Sequence, residues 1–190
     1  MRIVSNSKEA ISLDMQRYKG YKRSSTIFLP LDIRYIKAFR KYQFAENKIY
    51  RLFCRIRLEY LMNKSQISIP VQTSVGPGFF IGHLGRVIIN GNSVIGCNVN
   101  VSTGVTIGQI NSGPKKGCPT IGNNVWIGSN AVIVGKVYIG DDVLIAPNSF
   151  VNFNVPPHSI VIGSPGVIHK KEGGVCDDYV TNRIDTAYYM

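Results

Sequence analysis

From Ile121 to Val151 an isoleucine or valine stands at every sixth position, through Ile121, Ile127, Ile133, Ile139, Ile145 and Val151. The same beat runs earlier through Ile89, Ile95, Val101 and Ile107. Four residues after members of this series come Val99, Val105, Val125, Ala131, Val137, Val143, Ser149 and Val155, all small or β-branched. An amphipathic helix repeats at about 3.6 residues and a half-buried strand at two, so a period of six fits neither. It fits a β-helix, whose short rungs cannot bury their apolar residues alone and form a core only by stacking. Between the apolar positions lie Gly122-Asn123-Asn124, Gly128-Ser129-Asn130 and Gly140-Asp141-Asp142. These residue types tolerate left-handed backbone angles and can turn corners.

The repeats occupy residues 69–168, and residues 169–190 form a polar tail without repeat. Residues 1–68 read as helical. A helix over 8–19 is expected, capped by Ser7 and ended by Gly20, followed by an extended link from Tyr21 to Leu29. A second starts at Pro30 and carries Ile33, Ile36 and Phe39. A third places Ile49, Leu52, Phe53, Ile56 and Tyr60 on one face, with Arg51, Arg55 and Arg57 mostly off it. Such faces pack on one another, on the repeats or on a sister subunit; the alternative is docking on a membrane surface.

The net charge of +11 is unevenly placed. Residues 1–68 hold 15 Lys or Arg against 5 Asp or Glu, a net of +10, and residues 69–190 hold 7 against 6, a net of +1. The positive charge therefore belongs to the helical segment, where it suits an anionic surface or an acidic partner. No nucleic-acid recognition motif accompanies it, so no nucleic acid is expected. No apolar run reaches the roughly 18 residues of a membrane-spanning helix, and the N-terminus lacks the apolar core of a signal peptide. Cys54, Cys97, Cys118 and Cys176 show no metal-ligand spacing. They read as reduced thiols in a cytoplasmic protein, possible peripheral contact with the inner membrane face aside, and no metal is expected.

The period fails twice. Ile81 to Ile89 spans eight residues, two too many, around His83-Leu84-Gly85. Ile107 to Ile121 spans fourteen, and holds a Gly-, Pro- and Lys-rich stretch from Gln109 to Pro119 that reads as a loop leaving the stack. A regular repeat needs no interruption for stability, so interruptions are where function is sought. His83 is the only histidine of the repeats before the final turn. Imidazole titrates near neutrality and can take a proton from a hydroxyl; the alternative is a histidine that satisfies a backbone carbonyl at a bulge. His158 and His169 read as surface residues.

The stretches GPGFFIGHLGRVIINGNSVIGCNVNVSTGVTIGQ, GCPTIGNNVWIGSNAVIVGKVYIGDDVLIAPNSF and VPPHSIVIGSPGVI closely resemble the serine acetyltransferase family of hexapeptide-repeat acyltransferases. The nearest likeness is to short members associated with capsule and surface-polysaccharide synthesis. The resemblance implies a mainly β fold, a left-handed parallel β-helix with three hexads per turn, preceded here by the short α-helical segment. It implies a homotrimer with active sites between neighbouring prisms, acetyl-CoA as donor and a hydroxyl as acceptor. It places His83 on the family's general base. Gly108, Ser129, Ala131, Lys136 and Gly163 become candidate donor contacts, and His169, Lys170 and Lys171 candidate cations near the CoA phosphates.

This chain departs from the family at the acceptor. Ser68 stands fifteen residues before the histidine, where the family carries an aspartate. Gly82 replaces a second acidic residue, and Gly117-Cys118 replace an Arg-His pair. A site that clamps a carboxylate normally keeps a fork-shaped cation. Ser68, Arg86, Lys115 and Cys118 are the candidate acceptor residues, with Arg86, Lys115 or Lys116 as substitutes for the missing charge. The leading expectation is a sugar O-acetyltransferase; the alternatives are L-serine O-acetylation and a non-catalytic repeat scaffold.

Overall fold

The structure, a computed structural model, describes residues 4–20 and 29–186. The expected link over 21–29 therefore lies outside the described residues, except for Leu29. Five coils stack into a left-handed parallel β-helix. The first coil is β1 (Ile67–Ser68), β2 (Ser74–Val75) and β3 (Phe80–Ile81). The second is β4 (Val87–Ile89), β5 (Val94–Ile95) and β6 (Asn100–Val101), and the third β7 (Thr106–Gly108), β8 (Thr120–Ile121) and β9 (Trp126–Ile127). The fourth is β10 (Val132–Val134), β11 (Tyr138–Ile139) and β12 (Val143–Ile145). The fifth has β13 (Phe150–Val151), Val155 bridged to Ile139, and β14 (Ser159–Ile162). Face one of the prism is thus β1-β4-β7-β10-β13, face two β2-β5-β8-β11 and face three β3-β6-β9-β12-β14. β15 (Val167–Lys170) turns back and pairs antiparallel with β14. The first strand begins two residues before the expected boundary at residue 69, and β15 runs two residues past the expected end at 168.

Every hexad position read from the sequence points inward, at 5 % exposure or less. Ser149, the polar member of the set, donates its hydroxyl to Val161 O (3.3 Å) and accepts the Gly163 N–H (3.1 Å), as a buried hydroxyl must. The corner triplets divide their labour. Asn124, Asn130 and Asp142, the last residue of each, take positive φ, at 54°, 59° and 55°. The glycines serve close stacking instead: a Cβ on Gly128 would lie 2.6 Å from Pro147 N, and one on Gly140 2.5 Å from Pro157 N.

The helices close the lower end of the prism. α1 (Ser7–Gln16) is capped by Asn6, one residue earlier than expected, through a hydrogen bond from Glu9 N–H. α2 (Leu31–Gln43) follows Pro30 and buries Tyr35, Ile36 and Phe39. First-coil backbone groups have no coil beneath them, and side chains of the N-terminal segment replace it. The Tyr35 hydroxyl donates to Ile69 O and accepts from Ile69 N–H, both at 3.1 Å. Tyr18 does the same for Ile81. Arg40 donates to Val75 O and Gly76 O at 2.7 Å each, and its guanidinium pairs with buried Asp14, which also accepts the Phe79 N–H.

α3 (Lys48–Ser65) turns a second stripe to the chain. It buries Cys54, Leu58, Leu61 and Ser65, not the face the sequence marks as apolar. The expected face of Ile49, Leu52, Phe53, Ile56 and Tyr60 is exposed. Within the polar tail, which carries no repeat, residues 174–184 strap face three. Cys176 and Val180 pack on Leu144, and Trp126 lies 4.9 Å from the Tyr179 ring. Asn98 donates to Ile184 O, Asn100 to Tyr179 O and Arg17 to Thr181 O.

Candidate active site

His83 sits in a bulge on the edge between faces three and one. Later coils turn this edge with three residues, as at Ser102-Thr103-Gly104; here five residues, 82–86, intervene between Ile81 and Val87. The base of the bulge is fixed by Gly82 N–H to Val101 O (3.0 Å) and Gly104 N–H to Arg86 O (2.6 Å). Gly85 takes φ +151°, and a Cβ there would lie 2.1 Å from Thr103 Oγ1. The bulge is therefore pressed onto the next coil while His83 and Leu84 stay exposed at its tip. Among the described residues the imidazole has no hydrogen-bond partner. Ser68, at the position of the family aspartate, makes no bond to it.

Ser68 and Arg86 are brought together. Ser68 lies beside Ile88 in register on face one. With Arg86, Ile88, Met62, Asn63, Gln66 and Ile67 it lines an open groove of about 480 Å³. Sequence reasoning missed Asn63 and Gln66, which precede the repeat and carry no periodic signal.

The second break is a short finger on the opposite edge of face one. Ile110 and Gly117 exchange two hydrogen bonds of 3.0 Å, and residues 111–116 are exposed. Lys136 N–H donates to Lys115 O (2.9 Å), tying the finger to the fourth coil. The Cys118 thiol donates to Asn90 Oδ1 (3.2 Å) and approaches Gln109 Oε1 (3.6 Å). Burial pushes it up from the ordinary thiol range, so it is not an activated nucleophile.

The candidate donor contacts scatter. Ser129 and Gly163 share the His83 edge. With coils about 4.8 Å apart, His83, Thr103, Ser129, Pro147 and Gly163 form a line on the order of 20 Å long. Thr103, not singled out by the sequence, lies on it. Gly163 donates its N–H to Ser149 Oγ and accepts from Phe150 N–H. The Ala131 side chain is core, its carbonyl taken by Thr106 N–H. Gly108 ends β7 beside Val134, near exposed Lys136 and the finger. Lys170 pairs with Ser159 and Lys171 donates its N–H to His158 O, across the width of face three from Gly163. His169, beside Ile160, is exposed between them. One chain thus places His83 and the finger on opposite edges of face one. Among the described residues no group of three or more His, Cys, Asp or Glu could hold a metal ion.

Residues 118–152 match the family model described as bacterial transferase hexapeptide (six repeats). The serine acetyltransferase of Mycobacterium tuberculosis is 33 % identical over 118 residues, 62 % of this chain and 52 % of that one. The Staphylococcus aureus serine acetyltransferase is 38 % identical over 107 residues, 56 % of this chain and 50 % of that one. The chain therefore spans about half the length of these curated relatives. The Brucella abortus serine acetyltransferase, solved in complex with coenzyme A, superposes with a TM-score of 0.74 at 23 % identity, over 87 % of this chain and 68 % of that one, a likeness of fold. In its repeat region, then, the chain is serine acetyltransferase-like, a hexapeptide-repeat β-helix of the kind those acyltransferases share.

Proposed function

We propose that this chain transfers an acetyl group from acetyl-CoA to a hydroxyl, with His83 as general base. The observation that carries this reading is the exposed imidazole on a bulge in the first coil, three residues before an arginine that lines an open groove with Ser68. A hydroxyl is a weak nucleophile until a base removes its proton during attack. His83 accepts that proton as the oxygen bonds to the thioester carbonyl carbon. Collapse of the tetrahedral adduct breaks the C–S bond, and the imidazolium returns its proton to the departing thiolate. No acyl-enzyme forms.

The donor lies along the line from Ser129 to Gly163, with the lysines of the finger and Lys170 and Lys171 as partners for its phosphates. Because His83 and the finger stand on opposite edges of face one, the working site closes between copies, and a homotrimer is the assembly that serves it. The relatives reported above favour L-serine as acceptor over the sugar expected from the sequence. The sugar reading retains one observation: Ser68, Gly82 and Gly117-Cys118 stand where a serine site would need charge, and the Cys118 thiol is engaged by Asn90 and Gln109. The scaffold reading predicts no donor binding, whereas a ligand at 100 times its Kd stabilises by about 2.7 kcal/mol.

The test is release of CoA thiol from acetyl-CoA with L-serine as sole acceptor, on protein that shows a thermal shift with CoA. Serine-dependent turnover supports the serine reading. A shift without serine-dependent turnover moves the acceptor to sugars. No shift with CoA overturns the enzyme reading altogether.

A further inference from the structure

α3 carries two apolar stripes on opposite sides, and the chain uses only one. At about 100° per residue, Cys54, Leu58, Leu61 and Ser65 fall together and are buried. Ile49, Leu52, Phe53, Ile56 and Tyr60 fall on the far side and are 55–70 % exposed. This second stripe is roughly 16 Å long at 1.5 Å per residue. The exposed apolar residues of the prism faces, Ile88, Val94, Tyr138 and the neighbours Ile162 and Val167, are spread over three faces and need no explanation; a long contiguous stripe does.

The charges beside the stripe decide what covers it. Arg57 and Lys64 flank it on one side, Lys48 and Arg55 on the other, and Arg51 is exposed farther round. Only Glu59 opposes them, and it is paired with Arg55 at 2.8 Å. Lys48 and Arg51 stand near the positive end of the helix dipole, where cations disfavour the helix and acidic residues would favour it; its first turn holds no acidic residue. Helix stability therefore does not account for them. Pairing with α3 of a second copy would set basic flanks against basic flanks. An anionic surface complements them, and long basic side chains can lay their stems along the apolar boundary while their heads reach lipid phosphates.

We infer that the outer stripe of α3 seats the protein in the interface of an anionic bilayer, in the plane of the membrane and without crossing it. No helix of the described residues is long and apolar enough to cross. Phe53, Leu52 and Ile56 enter the acyl boundary, and Arg57, Lys64, Lys48 and Arg55 meet the headgroups. This inference is independent of the catalytic reading.

The test is co-sedimentation of the full chain with vesicles of phosphatidylcholine and phosphatidylglycerol in equal parts, against phosphatidylcholine alone. Light scattering gives the oligomer size without vesicles. The expected result is binding to the anionic vesicles only, weakened at high salt as the Debye length shrinks. It should fall roughly tenfold or more when Leu52, Phe53 and Ile56 are all changed to serine, with oligomer size unchanged. The three substitutions are on solvent-facing positions and leave the buried stripe intact. Equal binding to neutral vesicles, binding by the triple variant at the wild-type level, or no binding at all would overturn the inference. A smaller oligomer for the triple variant would also overturn it, and would give the stripe to a second copy.

Discussion

His83 and Tyr35 show two ways in which one side chain can matter here. His83 is exposed and makes no hydrogen bond among the described residues, so replacing it should leave the fold intact and remove only the proton transfer. His83→Ala is expected to lower kcat by about 10²–10⁴ while the thermal shift with CoA is retained; activity within tenfold of the wild type would rule out the general-base role. Tyr35 is the opposite case. Its hydroxyl satisfies both backbone groups of Ile69, and burial pushes that hydroxyl above its ordinary range. Tyr35→Phe leaves both groups buried and unpaired, at a cost of about 1–3 kcal/mol, measurable as a lower urea midpoint with unchanged slope. His83 was legible because it interrupts a period. Tyr35 was not, since a tyrosine on a helix says nothing of a strand edge that only the folded chain brings above it. Asn63, Gln66 and Thr103 escaped for the same reason.

Among the elements, the rungs were the most legible, because each inward position repeats a local steric demand. Ile133, fully buried between coils, is the type case; Ile133→Ala should cost about 2–5 kcal/mol in chemical unfolding. The strap was hidden. Cys176, Val180 and Ile184 fall at no regular period in a largely polar stretch, and their burial depends on the outer surface of face three, which no local pattern encodes. The strap is held at Asp142, whose carboxylate accepts from Val175 N–H (3.1 Å), Cys176 N–H (2.9 Å) and His158 Nδ1 (2.9 Å). Burial pushes that carboxyl up, but the bonds from His158, Cys176 and Val175 outweigh it and hold it below the usual range. A carboxyl so lowered stabilises the fold above the unfolded value of about 3.9, and that contribution is lost as pH falls through the folded value. The strap should therefore loosen in acid below about pH 4. Trp126, the only tryptophan, stacks near Tyr179 and reports it by fluorescence; Asp142→Asn should abolish the acid-dependent part of the change. α3 was legible as a helix with one apolar face, but the stripe it turns to the chain was not, because two apolar stripes compete for the inside and periodicity cannot choose between them.

For the whole molecule, the separation of His83 from the finger carries the assembly prediction. A finger variant in which residues 111–116 are replaced by a two-residue turn should lose most of its activity alone, as should His83→Ala. Mixed and reassembled, the two should regain part of the wild-type thiol release, because an intact edge of one copy meets an intact edge of another. No recovery from a mixture shown to be hetero-oligomeric would mean that each chain works with its own finger.

β15 has a consequence beyond the site. A stack of parallel rungs has no intrinsic length, since every terminal strand offers its backbone to another of its kind. Here the return of Val167–Lys170 against β14 reverses strand direction on face three, while Tyr18, Tyr35 and Arg40 occupy the first-coil backbone at the other end. A chain ending before Val167 would present β14 bare, and end-to-end fibre growth, visible as rising light scattering with time, is its expected fate. The number of coils in this molecule is thus fixed by what stands at its two ends, and not by the repeat that fills its middle.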